Sequence, residues 1–135
     1  MTDTESANLA VVRSYLTALE SGALGEALAR FFTDDAQQVE FPNRLNPSGG
    51  RSDLQTLLSR AEQGQRLLRA QHYEIRSEVA QRATVAVEAV WTGTLRIALG
   101  SLPPGASLRA HFAMFFDLES GRIRAQRNYD CFEPW

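Results

Sequence analysis

The sequence contains no lysine, so every basic side chain apart from its two histidines is an arginine. Fourteen arginines stand against sixteen acidic residues, which gives a net charge of -2. The arginines are scattered among acidic neighbours and do not form the basic stripe that is typical of a nucleic-acid-binding surface. We therefore expect no nucleic-acid partner.

Cysteine and long apolar runs are also scarce. The one cysteine, Cys131, excludes an internal disulfide and a cysteine-built metal site. No long uncharged apolar run is present, and the first twenty residues do not resemble a secretory signal. No histidine–carboxylate cluster has metal-ligand spacing, and no glycine-rich loop precedes a helix. These absences predict a cytoplasmic protein with no membrane span, metal or cofactor.

The 135 residues, 44% of them hydrophobic, suit one globular domain that spans 1–135. Apolar residues at three- and four-residue steps predict helices over 6–21 and 24–32. Ser6 is the expected N-cap of the first helix. Ser52 and Gln55 resemble a capping box that opens a third helix.

After the third helix the apolar period changes to two, which is typical of strands. Strands are predicted over 36–41, 73–79, 85–95, 108–118 and 122–131. Three helices followed by long antiparallel strands predict an α+β fold in which the helices cover one face of a curved sheet.

The strand over 108–118 is apolar on both faces, because Ala113 and Phe115 alternate with the larger apolar set. A strand of this kind is covered on both faces. The helices can cover only one face, so we expect a homodimer through the other. The alternative is that the C-terminal tail, 132–135, folds over it.

Three strings carry a family resemblance. The stretch AVVRSYLTALESGALGEALARFFTDDAQQVEFP is similar to the opening of ketosteroid isomerases, EAVWTGTLRIALGSLPPG resembles limonene epoxide hydrolases, and SGRIRAQRNYDCF resembles the last strand of both groups. The chain thus resembles the nuclear transport factor 2-like superfamily, in its SnoaL-like and ketosteroid-isomerase-like branch. The resemblance implies a cone-shaped, cystatin-like α+β barrel, in which a curved antiparallel sheet wraps around N-terminal helices and leaves a blind, mostly apolar cavity.

The chain retains in full neither the catalytic residues of ketosteroid isomerases nor those of limonene epoxide hydrolases. Of the ketosteroid isomerase groups, the tyrosine is matched by Tyr15, but the base falls on Phe41 and the second oxyanion donor near Ala113. The positions of the arginine and two aspartates of limonene epoxide hydrolases are occupied by Ala89, Trp91 and Asn128. Because fold does not determine function, the remaining polar residues decide what chemistry is available.

Several residues are candidates for a ligand site. Tyr15 is either an oxyanion donor or a core tyrosine. Strand parity and the resemblance together predict a cavity lined by aromatic and polar side chains: Phe41, Trp91, His111, Ala113, Gln126, Asn128 and Asp130. Glu40 has the opposite parity and is expected to point outward. Asp130 would be desolvated there and suited to act as a base, the alternative being a solvated strand end.

The turn at Ser120-Gly121 predicts that the last two strands are antiparallel neighbours. If the residue numbers of cross-strand partners add up to 241, His111 lies opposite Asp130. If they sum to 239, it faces Asn128. Both registers place the imidazole and the carboxylate on one face, where they would form a single base.

Two functions remain open from the sequence. The first is a cofactor-free isomerase or polyketide-type cyclase that abstracts a proton from a small apolar or aromatic carbonyl compound, with Asp130 or His111 as base and Tyr15 as oxyanion donor. The second is a non-catalytic ligand-binding or dimerisation module with the same cavity.

Overall fold

The computed structural model describes all residues, 1–135. Three helices and six strands follow one another along the chain: α1 (Asp3–Glu20), α2 (Glu26–Ala29), β1 (Phe32–Glu40), β2 (Gly50–Asp53), α3 (Leu54–Leu67), β3 (Leu68–Gln81), β4 (Thr84–Leu95), β5 (Ser107–Glu119) and β6 (Arg122–Phe132). None of the helices combines the length and the hydropathy that a membrane span requires.

All six strands form one curved sheet in the order β2-β1-β6-β5-β4-β3. β1 pairs with β6 in parallel, and every other neighbouring pair is antiparallel. The N-terminal helices pack on one face, called the inner face below. This architecture confirms the predicted α+β class and matches the nuclear transport factor 2-like cone.

The helix starts differ from the predicted ones. A capping box at Thr2 and Glu5 begins α1, with Glu5 N donating to Thr2 Oγ1 at 3.1 Å, so Ser6 is not the cap. Likewise Asp53 caps α3, because its Oδ1 accepts from Thr56 N at 2.8 Å. Ser52 instead lies buried in β2. Both true caps carry the Thr or Asp side chain that favours this position.

The core lies between α1 and the inner face of β5 and its neighbours. Val12 from α1, Phe116 from β5 and Ile123 from β6 are completely buried there. The predicted apolar face of β5 is the inner one, as expected from its period of two. Burial of this cluster fixes which face of β5 turns inward, since a shift of one residue would expose it.

The register between β5 and β6 corrects the prediction for His111. At the turn the pairs are Glu119–Arg122 and Leu118–Ile123, with the predicted sum of 241. A β-bulge follows, because the next pair is Asp117–Ala125 and leaves Arg124 without a partner residue. From this pair onward, the residue numbers of the two partners add up to 242. His111 therefore faces Cys131, and Phe112 lies opposite Asp130.

The face of the sheet away from the helices, called the outer face below, carries an exposed aromatic group. Phe41 stacks on Tyr129 with ring centroids 4.5 Å apart, and Phe115 meets Tyr129 edge-on. The C-terminal tail does not cover this group, because Phe132 and Trp135 pack against the cluster around Trp91 on the inner face. The alternative in which the tail covers the outer face is therefore wrong.

Candidate functional site

A cavity of about 370 Å³ opens on the inner face, between β4–β6, α3 and the loop over 43–46. We call it the aromatic cavity, because Trp91, Phe112, Phe132 and Tyr73 form one of its walls. Trp91 stacks on Phe112 with ring centroids 5.4 Å apart. Its indole N–H donates to Gln71 Oε1 at 2.9 Å, which fixes the plane of the ring. Tyr73 and Phe132 meet this stacked pair edge-on, and the rings together offer an apolar surface on which an apolar or aromatic ligand can pack.

A second part of the lining, the polar wall, is formed by charged and amide side chains, and to that extent the cavity is less apolar than the sequence predicted. The polar wall is formed chiefly by Glu40, Arg60, Asn128 and Asp130. This wall exists because β1 and β6 are parallel neighbours whose inward residues are polar. Glu40 of β1 pairs with Asn128 of β6, and Asp130 lies two residues further along β6. A few polar groups against an apolar wall are typical of small-molecule sites.

Asp130 is the most perturbed acid of the protein. Its Oδ1 atom is buried and has no hydrogen-bond partner. Burial, helped by the negative charge of Glu40, raises the pKa of Asp130 to about 7. A carboxyl that titrates near neutral pH inside a ligand-sized cavity has the proton affinity of a general acid or base.

The inward direction of Glu40 corrects the prediction that it points outward. Its Oε1 accepts from Arg60 Nη2 at 2.6 Å, and its Oε2 accepts from Asn43 Nδ2 at 2.7 Å. The prediction failed because it treated Val39 and Phe41 as the inward set of β1. Glu40 instead points inward, because it pairs with Asn128 on the polar inner face of β6. Val39 pairs with Arg127.

A second cavity of about 250 Å³ adjoins the first, and we call it the tyrosine cavity because Tyr15 lines it. Four residues line both cavities, namely Glu40, Arg60, Gln71 and Tyr73. Burial raises the pKa of Tyr73 far above its ordinary value, and Tyr15 and Asp130 add to this in the same direction. Tyr73 therefore lies between the two polar ends of the site.

Tyr15 is buried and does not line the aromatic cavity. Burial raises the pKa of its phenol well above the ordinary value, and contacts with the amides of Gln126 and Gln38 offset part of that shift. Gln126 is itself buried, with 3% of its surface exposed, and its Nε2 donates to Asn128 Oδ1 at 2.9 Å. The inward side chains of β6 thus link Tyr15 to the aromatic cavity.

Three predicted site residues lie on the outer face instead. His111 alternates along β5 with Ala110 and Phe112, which face inward, so it points outward, where its Nε2 lies 3.0 Å from Glu133 Oε2. The bulge at Arg124 changes the parity of β6 and places Asp130 on the inner face. Ala113, paired with Tyr129, also faces outward. Phe41 stacks on the ring of Tyr129, so it does not line either cavity. The predicted pair of His111 and Asp130 is therefore wrong, because the two side chains lie on opposite faces of the sheet.

Sequence reasoning missed three residues that line both cavities, Arg60, Gln71 and Tyr73. In the sequence Arg60 stands out only as one of fourteen arginines, and Gln71 lies before the predicted strand over 73–79. Tyr73 could have been found, because it opens the alternating run of β3 with inward parity. No group of three or more histidine, cysteine, aspartate or glutamate side chains is arranged to hold a metal ion.

The fold and the cavity define a cone-shaped α+β protein with a mixed aromatic and polar pocket under its helices. Residues 12–126 match the family model of the SnoaL-like domain, so the chain belongs to the SnoaL-like family. This confirms the resemblance to the nuclear transport factor 2-like superfamily. No curated protein sequence matches the chain.

Solved structures agree on the fold. IdmH from Streptomyces antibioticus is 21% identical, with a TM-score of 0.77 and 91% of each chain covered. A SnoaL-like protein from Jannaschia sp. is 14% identical, with a TM-score of 0.77, covering 96% of this chain and 89% of the other. A protein of ketosteroid isomerase-like fold from Catenulispora acidiphila, solved with trimethylamine, is 16% identical with a TM-score of 0.68, covering 88% and 83%.

Proposed function

We propose that this protein is a cofactor-free isomerase or polyketide-type cyclase that removes a proton from the carbon next to a carbonyl group. The observation that carries the proposal is the carboxyl of Asp130, which has an unpartnered buried oxygen inside the aromatic cavity and a pKa raised to about 7. Polyketide cyclase activity has been proposed for IdmH and for the Jannaschia protein, which supports the same class of reaction.

In the proposed reaction the Asp130 carboxylate takes the proton, and the electrons of the broken C–H bond form a C=C bond while the carbonyl oxygen becomes an enolate. In an isomerisation, protonated Asp130 returns the proton to another carbon. In a cyclisation, the enolate carbon attacks a second carbonyl of the ligand, a C–C bond forms, and the new alkoxide takes the proton from Asp130. Both routes regenerate the carboxylate without any co-reactant.

The ligand is proposed to be small, with an apolar or aromatic body that packs on Trp91, Phe112 and Phe132. Its carbonyl end would face the polar wall of Asn128 and Asp130. Tyr15, which lines the tyrosine cavity, is proposed to donate to a second ligand oxygen there. His111 lies on the outer face of β5, so Asp130 alone is proposed as the base.

The test uses 2-tetralone, a planar bicyclic ketone with exchangeable protons next to its carbonyl. Its hydrogen–deuterium exchange in D₂O, followed by NMR, should be accelerated by the protein. We expect the Asp130→Asn variant to lose at least about 99% of this acceleration, because general-base catalysis contributes about 10²–10⁴-fold. The His111→Asn variant is the control and should keep it. Equal acceleration by wild type and Asp130→Asn would contradict the proposal.

The second candidate, a non-catalytic binding module, is favoured by one observation. Tyr15, the one residue that matches the ketosteroid isomerase pattern, lies in a different cavity from Asp130. If 2-tetralone binds at the aromatic cavity without exchange of its protons, this second candidate replaces the first.

The proposed working form is a cytoplasmic homodimer of single SnoaL-like domains, each spanning 1–135. The outer aromatic group supports the dimer, since Phe41, Phe115 and Tyr129 are 38%, 37% and 42% exposed on one continuous patch. Exposed aromatic patches of this kind mark interaction surfaces. The ion pair of Arg127 and Asp117, 2.8 Å long, borders the patch.

Light scattering at micromolar concentration should therefore give twice the mass of the chain. The Phe115→Asp variant should shift the mass to that of a monomer, because it places a charge in the centre of the contact. Val79→Asp is the matched control, since Val79 is 59% exposed on β3, away from the patch. A monomeric wild type, or a dimer that Phe115→Asp leaves intact, would rule out this interface.

A further inference from the structure

We propose that Asn128 is a catalytic hydrogen-bond donor, which binds the ligand oxygen beside the carbon that Asp130 deprotonates. This inference rests on the proposed function, because it assigns the group that stabilises the enolate. Hydrogen-bond donors that face the oxygen on which the charge develops lower the barrier to enolate formation.

The first support is the position of Asn128. It lies two residues before Asp130 on β6, so both side chains project from the same face of the strand. Both line the aromatic cavity, where Asp130 is the cross-strand neighbour of Phe112 and Asn128 that of Met114. Side chains two positions apart on a strand are separated by roughly 7 Å of backbone. That spacing leaves room for a carbonyl group, with its oxygen at one side chain and its α-carbon at the other.

The second support is the direction of the amide. Asn128 Oδ1 accepts from Gln126 Nε2 at 2.9 Å, and the buried Gln126 side chain holds it in place. With the oxygen engaged, the NH₂ group is the free end of the amide, and it carries two donor hydrogens. Nδ2 makes no hydrogen bond to any protein group. Asn128 therefore presents a donor group to the cavity.

The third support is electrostatic. The polar wall holds two carboxyl groups, Glu40 and Asp130, and its one cation, Arg60, is engaged with Glu40 at 2.6 Å. A free cation beside Asp130 would stabilise the carboxylate and lower its pKa, which would weaken it as a base. A neutral amide stabilises the developing negative charge without weakening Asp130 as a base in this way. A neutral donor such as Asn128 is thus compatible with a basic Asp130.

The binding test compares 2-naphthol, which carries an oxygen where an enolate would, with naphthalene, which carries none. We expect wild type to bind 2-naphthol at least about tenfold more tightly, measured by equilibrium dialysis, since a hydrogen bond of this kind contributes about 1.5 kcal/mol. The Asn128→Leu variant should lose this preference while its affinity for naphthalene stays within about twofold. Gln55→Leu, which alters an exposed amide of α3 that lines neither cavity, should keep the preference.

The kinetic test uses exchange of 2-tetralone. Asn128→Leu should lower kcat by about 10²-fold, the usual effect of removing one oxyanion donor, with a smaller change in KM. The midpoint of its pH profile should stay near that of wild type, whereas a merely structural role would displace Asp130 and move it. Gln126→Leu, which releases the amide, should lower kcat by a smaller factor.

The outcomes separate this inference from the proposed function. A wild type that catalyses no exchange but shows the oxygen-dependent preference, lost in Asn128→Leu, retains Asn128 as the donor and rejects the reaction. A preference that survives in Asn128→Leu but disappears in Tyr73→Phe or Tyr15→Phe overturns the inference. A wild type with no preference for 2-naphthol over naphthalene overturns it as well.

Discussion

The Asp130→Asn variant is expected to be more stable than wild type at pH 8, by about 2–4 kcal/mol, although it removes the proposed base. Folding raises the pKa of Asp130 from an ordinary value of 3.8 to about 7, chiefly by burial. The ionised form is therefore disfavoured in the folded state. Each unit of pKa shift corresponds to about 1.4 kcal/mol, and the partial exposure of the side chain lowers the total.

The sign of the pH dependence follows from proton binding. Between about pH 4 and pH 7 folded Asp130 holds a proton that the unfolded chain has released, so its contribution to stability decreases as the pH rises. It is complete below pH 3.8 and lost above about pH 7. The advantage of Asp130→Asn should consequently be largest at pH 8 and should disappear near pH 4.

Urea denaturation at pH 4, 6 and 8 measures this difference. Asp117→Asn is a control with the opposite sign, because a hydrogen bond from Arg127 holds the pKa of Asp117 below its ordinary value. That variant should lose stability at pH 8. If Asp130→Asn is no more stable than wild type at pH 8, the carboxyl of Asp130 is not held in a desolvated site.

The fold was predictable because its strongest signals are local and periodic. The alternation along β5 identified the face that meets the helices, and burial of Met114 and Phe116 follows from it. The opening helix and first strand carried the family resemblance. The register of β5 with β6 was predictable only as far as the turn, where Ser120 and Gly121 adopt positive φ. The bulge at Arg124 has no comparable signal in the sequence.

The candidate site was predictable in part for the same reason. The period of two along β6 placed Gln126, Asn128 and Asp130 on one face, and the structure has them inward together. The ion pair of Glu40 and Arg60 could not be found this way. It joins β1 to α3 across twenty residues, and its inward direction depends on a parallel neighbour that no local pattern reveals.

That ion pair leads to the second large effect, because Glu40→Gln should lower the pH at which the protein becomes active. The charge of Glu40 helps to raise the pKa of Asp130. The substitution removes that charge and leaves the guanidinium of Arg60 without its carboxylate partner, and both changes favour ionised Asp130. The midpoint of the pH profile of 2-tetralone exchange should therefore fall below 7.

The two rate profiles should cross. At pH 5.5 only about one wild-type molecule in thirty has an ionised Asp130, and a midpoint lower by about one unit would raise that fraction roughly tenfold. Above pH 8 both proteins are fully ionised, and Glu40→Gln should be the slower one, because its carboxylate is a weaker base. Arg60→Gln supplies the reverse case, since it leaves the charge of Glu40 uncompensated and should move the midpoint above 7. If both variants keep the wild-type midpoint, the Glu40–Arg60 pair does not set the basicity of Asp130, and burial of the carboxyl alone accounts for it.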